Sequence, residues 1–117
     1  MIVVLFEAVL AEHQQTAYLD AAAALRPLLE RIKGFVSIER FESLSQPGRL
    51  LSLSYWHNEA AVVAWRNVEA HRCTQAQGRS TMFTDYRIRV ACVFRDYGMH
   101  DRDQVPQDSL HAHARPR

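Results

Sequence analysis

The chain has 117 residues, 48% of them hydrophobic and 23% charged, with a formal net charge of +1 at pH 7. A chain of that length makes one domain around one core, burying roughly 65% of the surface its unfolded form exposes, and its near-neutral balance gives no basis for a nucleic acid or an acidic membrane as partner. Two cysteines, Cys73 and Cys92, stand too far apart for a CxxC motif, so reduced thiols in the cytoplasm are the expectation.

Residues 2–10, IVVLFEAVL, form an apolar run with a single charge. The run lacks the basic segment and small-residue cleavage site of a signal peptide, and Glu7 interrupts it well short of membrane-spanning length. It reads as a first strand. In AEHQQTAYLDAAAALRPLLERIKG the period changes: Tyr18, Ala21, Ala22, Leu25, Leu28, Leu29 and Ile32 recur at steps of three and four. This predicts a helix, with Gly34 as its C-cap and a kink at Pro27.

FVSIERFESL alternates imperfectly, which predicts a strand carrying a bulge. SQPGR then supplies a proline-glycine turn, and LLSLSYWHN sets Leu51, Leu53 and Tyr55 against Ser52, Ser54 and Trp56. Together these make an antiparallel hairpin. Asn58 is placed to cap a second helix with Glu59 in its first turn and Gly78 as the stop. Residues 82–98 predict a long last strand with Tyr86, Ile88, Val90, Cys92 and Phe94 on one side and Arg87, Arg89, Ala91, Val93 and Arg95 on the other. Cys92 is expected to be a buried, inert thiol, Cys73 an unactivated one on the second helix, and the arginines to pair across a dimer seam with glutamates such as Glu39 or Glu42.

The order β-α-β-β-α-β predicts an α+β, ferredoxin-like domain over residues 1–98, with two helices on one face of a four-stranded antiparallel sheet. Ala91 and Val93 lie on the face left bare, so a second copy is expected to pack sheet against sheet and close a barrel as a homodimer. Residues 99–117 are polar, with two prolines and three histidines, and are expected to be disordered or an extended arm. His100, His111 and His113 have no carboxylate or cysteine at ligand spacing, so no metal is expected there.

GFVSIERFES, then GRLLSLSYWHNEAAVVAWRNVEAHRCTQAQGR, then DYRIRVACVFRDYG resemble, in that order, the antibiotic biosynthesis monooxygenase family of the dimeric α+β barrel superfamily. YW at the end of the third strand, a tryptophan with a histidine six residues on, and a terminal RDYG carry the likeness, which spans roughly residues 2–98. The resemblance implies a homodimer with one pocket per subunit between helices and sheet. For some members it implies cofactor-independent oxygenation of a polycyclic phenol or quinone-forming substrate. Haem-degrading relatives in the superfamily use an asparagine on the first strand, a tryptophan and a histidine ligand. Here the first strand has no asparagine and the histidine stands closer to the tryptophan, which weighs against haem.

Oxygenation without a cofactor requires a substrate anion able to donate an electron to dioxygen, so the protein must deprotonate the substrate and hold it away from water. His71 is the candidate base, though beside Glu69 and Arg72 it also reads as a solvated or capping residue. Asn67, four residues earlier, shares its face and could hold an oxyanion or peroxide, or be half of an exposed polar pair. Trp65 could stack on an aromatic substrate or pack with Val62 and Val68; six residues set it about 120° from His71 on a helix. Tyr55 and Trp56 point to opposite sheet faces, so at most one enters a given cavity; alternation does not say which, and Tyr55 is the named candidate for the substrate contact. The expected activity is oxidation of a small aromatic or quinol-type substrate by dioxygen with no cofactor; the alternative is a non-catalytic ligand-binding or stress-response dimer, ahead of a haem-binding relative.

Overall fold

A computed structural model describes residues 1–75 and 82–112, with side chains for 1–68 and 82–109. Its elements are β1 (Ile2–Leu10), α1 (Gln15–Glu30), β2 (Phe35–Glu42), β3 (Arg49–Trp56), α2 (Glu59–Gln75), β4 (Phe83–Cys92) and a short α3 (Gln107–Ala112). The strands form one antiparallel sheet in the order β2-β3-β1-β4. β1, α1 and β2 thus make a split βαβ unit with β3 between its strands, the expected ferredoxin-like α+β arrangement.

Register decides which side chains meet the helices. Ile2 pairs with Trp56, Val4 with Ser54, Phe6 with Ser52 and Ala8 with Leu50, and all four β3 residues in these pairs are buried. Trp56, Leu29, Ala61 and Val62 form the centre of the core, with Ile2, Val4, Ile32, Phe35, Ile38 and Trp65 packed around them. Trp56 meets Phe35 edge to face, ring centroids 5.3 Å apart, a favoured aromatic geometry. The bulge expected in β2 lies between Phe35 and Ser37.

α1 ends at Glu30, within a turn of Pro27 and short of the Gly34 cap that its apolar period suggested. The amides of Arg31 and Ile32 donate to the carbonyls of Leu28 and Leu29, a three-residue spacing that tightens the last turn. Gly34 instead serves the junction that follows, with φ 97° and a position where an added Cβ would stand 2.8 Å from the Cβ of Ala61. Its carbonyl accepts the His57 N–H at 2.7 Å. The start of α2 is capped as expected, since Asn58 Oδ1 accepts the Ala61 N–H at 2.9 Å.

β4 departs most from expectation. It stops at Cys92, where the ladder meets the end of β1 at the Ile2–Cys92 pair. Cys92 is exposed, not buried, and Tyr86, Ile88, Val90 and Phe94 are 58%, 51%, 48% and 88% exposed. The cause is position: among the described residues the core draws on β1, β2, β3 and both flanking helices but on no residue of β4, so alternation on this edge strand does not become burial.

On the sheet face away from the helices, Glu7 takes Arg49 at 3.0 Å through one carboxylate oxygen and Arg89 at 2.9 Å through the other. The described partner of Arg89 is thus Glu7, within its own sheet. Val3, Leu5, Leu51, Leu53 and Tyr55 share that face and are half-buried. Past β4 the chain becomes an arm ordered by bonds of its own: Asp96 N–H donates to Gln104 Oε1 at 2.7 Å and Gly98 N–H to the Asp101 carbonyl at 2.8 Å. His100 is exposed there, while the side chain of His111 and all of His113 lie outside the described residues.

Candidate functional site

The helices and the sheet do not close completely. Between them is a cavity of about 160 Å³, a void that close-packed interiors exclude unless short side chains leave room. Those side chains are Ser52 and Ser54 on the floor and Ala21 and Ala22 on the α1 wall. The two serines are buried, 8% and 5% exposed, although alternation alone gave no reason to turn them inward in preference to Leu51 and Leu53.

Several polar groups of the cavity are held by a neighbour. Ser54 Oγ accepts the indole N–H of Trp56 at 2.9 Å, a buried pair that orients the ring forming one wall. Tyr18, on α1, is wedged edge to face against Phe83 with centroids 5.6 Å apart. Its hydroxyl accepts the Nε–H of Arg40 at 3.3 Å, and the guanidinium carbon lies 5.9 Å from the Tyr18 ring centre, within reach of a cation–π attraction. Val62, Trp65 and Arg66 of α2 complete that side, and Ile88 and Val90 of β4 form the half-exposed margin. The described lining holds three arginines, of which Arg26 is engaged by Glu30 at 2.9 Å, and no carboxylate or imidazole.

Of the residues singled out from sequence, Trp65 lines this cavity. Tyr55 does not: its cross-strand partners are Val3 and Ser37, which puts it on the opposite sheet face, and Trp56 takes the place assigned to it. Asn67 is exposed and outside the lining; two residues beyond Trp65 it stands about 160° around the helix. The side chain of His71 lies outside the described residues. Sequence reasoning passed over Arg40, Ser52 and Ser54 as site residues, left open whether Trp56 or Tyr55 faces the cavity, and took Tyr18 only as part of an apolar stripe. One available signal was Arg40 itself, a cation two positions from Ile38 and so on the same strand face.

Among the described residues no three His, Cys, Asp or Glu side chains gather where they could hold a metal ion, and no helix is long and apolar enough to cross a membrane.

Comparison with known proteins adds a second line of observation. A family model described as antibiotic biosynthesis monooxygenase matches residues 1–77. The Pyricularia oryzae protein named jasmonate monooxygenase ABM is 42% identical over 93 residues, covering 80% of this chain and 43% of that protein; this chain thus spans under half the length of that relative. The Bacillus subtilis protein YqjZ, described as uncharacterized, is 32% identical over 92 residues, covering 79% of this chain and 78% of its own. Among solved structures, Rv0793 from Mycobacterium tuberculosis superposes with a TM-score of 0.70 at 15% identity, covering 83% of this chain and 98% of that one. SO0527 from Shewanella oneidensis gives 0.67 at 20% identity, covering 77% and 87%. These structural likenesses show a shared fold.

Proposed function

Because this chain belongs to the antibiotic biosynthesis monooxygenase family, we propose that it oxidises a small aromatic or quinol-type substrate with dioxygen, in the cavity between helices and sheet and without a resident cofactor. In such a reaction a CH₂ flanked by aromatic rings becomes C=O: one oxygen atom enters the substrate and the other leaves as water with the two hydrogens removed. The substrate anion is the reductant, so the protein's work is to position it, shield it from water and move its proton.

The observation that carries this reading is the cavity, walled by the indoles of Trp56 and Trp65 and by aliphatic side chains from β1, β2, β4 and both flanking helices. Such walls suit a flat apolar ring. His71, on the same helix as Trp65, is the base we assign, and Trp65 the stacking surface; Asn67, facing solvent in this chain, has a part only if a second subunit covers it. A second copy packed on the face bearing Leu5, Leu51, Leu53 and Tyr55 makes the working form a homodimer, in the cytoplasm.

Oxygen consumption by purified, metal-stripped protein against anthrones, hydroquinones and catechols tests this, and the name of the Pyricularia relative adds jasmonate to the panel. Uptake above autoxidation is expected, falling by about 10²-fold in His71→Ala. No uptake on any substrate refutes the oxygenase reading; uptake unchanged in the variant removes His71 from it.

A further inference from the structure

We propose that the cavity binds its ligand through a carboxylate, gripped by the Arg40 guanidinium and the Tyr18 hydroxyl, with an elongated apolar body reaching across the sheet toward β4. The proposal rests on the cavity being the ligand site and adds the chemical class that enters it.

The arginines of the sheet and helices are unequally partnered. Arg49 and Arg89 both meet Glu7, and Arg26 meets Glu30. Arg40 is more enclosed than these, yet among the described residues no carboxylate lies within ion-pair distance of it, and its described side-chain bond is the one from Nε to the Tyr18 oxygen. A guanidinium facing an apolar cavity is costly unless its charge is met there. Its outer edge presents two parallel N–H groups, which match a carboxylate bidentately. Tyr18 accepts from Arg40, so its own proton remains to be donated. Two donors of this geometry at one end of a cavity without a described carboxylate make a receptor for an oxyanion.

Register supplies the rest of the ligand's outline. Arg40 pairs with Ser52, Ser52 with Phe6, and Phe6 with Ile88, so these four side chains form one row across the inner face, and all four line the cavity. The row spans three inter-strand spacings, about 14 Å. Its charged end is at β2, its small residue comes next, and its other end is apolar and half-exposed at Ile88. A ligand laid along it has an anionic head, clearance over Ser52, and an apolar tail leaving beside β4. A carboxylic acid arrives ionised at neutral pH, whereas a phenol with a pKa near 10 does not; the site therefore selects acids.

The test is equilibrium binding to the full chain under argon, followed by the fluorescence of the tryptophans, with octanoate, methyl octanoate and para-butylphenol as probes. Octanoate is expected to bind about 10- to 100-fold more tightly than its ester. Arg40→Met should remove that preference while leaving the ester within about threefold, and Arg40→Lys, which keeps charge without the fork, should restore part of it. Ester or phenol binding as tightly as octanoate, no saturable octanoate binding, or equal loss for all probes in Arg40→Met overturns the proposal. If that variant does not fold, the acid-to-ester ratio of the unaltered protein decides. Because the assay needs no turnover, acid preference without oxygen uptake refutes only the oxygenase reading, and uptake on neutral quinols without acid preference refutes only this one.

Discussion

Replacing Ser54 with alanine removes one oxygen atom and tests how the cavity wall is held. Trp56 is 1% exposed and Ser54 5%, and the indole N–H of one donates to the hydroxyl of the other at 2.9 Å. With the acceptor gone, the N–H stays buried without a partner, because Trp56 is locked between Phe35 and the core. Leaving a buried donor unsatisfied costs about 1–3 kcal/mol. At a urea slope of about 1.5 kcal/mol/M, the unfolding midpoint should fall by about 0.7–2 M, with a melting temperature lower by roughly 3–10 °C. The control is Trp56→Phe, which deletes the donor and adds its own loss of packing. In that background Ser54→Ala should cost less than about 0.5 kcal/mol, since no donor is left stranded. A cost as large in the phenylalanine background as in the native one, or no cost in either, refutes the reasoning.

Gly34→Ala should destabilise by about 1–3 kcal/mol, because φ 97° disfavours any side chain and the new Cβ would meet Ala61 at 2.8 Å; denaturant melts measure it, and a neutral result would mean that the junction relaxes freely. Asn58→Ala should cost about 1 kcal/mol by freeing the Ala61 N–H it now accepts, with Asn58→Asp close to neutral in the same melts. Alanine and aspartate behaving alike would show that the cap bond contributes nothing.

The order of elements was legible because each stretch has its own period: steps of three and four from Tyr18 to Ile32, and steps of two through β3 and β4. Even the bulge beside Phe35 left a trace, in alternation that slips by one residue. What could not be read was which side of each strand faces the helices. In β3 the choice fell to Ser52 and Ser54, where Leu51 and Leu53 are the more apolar pair, because two broadly apolar faces compete for the same strand. β4 shows the converse: its alternation is regular, but this edge strand leaves Cys92 exposed and Ile88 half-exposed at the cavity margin. The site was hidden for a related reason. Tyr18 and Arg40 stand 22 residues apart, on a helix and a strand whose juxtaposition depends on the crossover between them, and a lone arginine in a strand ordinarily marks a solvated position.

The place of β1 in the sheet has a consequence for how the molecule comes together. The hairpin of β2 and β3 is local, but sealing the other flank of β1 requires Leu10 to find Phe83 and Ile2 to find Cys92, a closure across most of the domain. Contacts of such sequence separation form late and slow folding. Until they form, IVVLFEAVL offers an apolar strand edge on which another nascent chain can template itself. Glu7, the single charge in that run, then acts as a gatekeeper against self-association, and only in the finished sheet does it settle between Arg49 and Arg89.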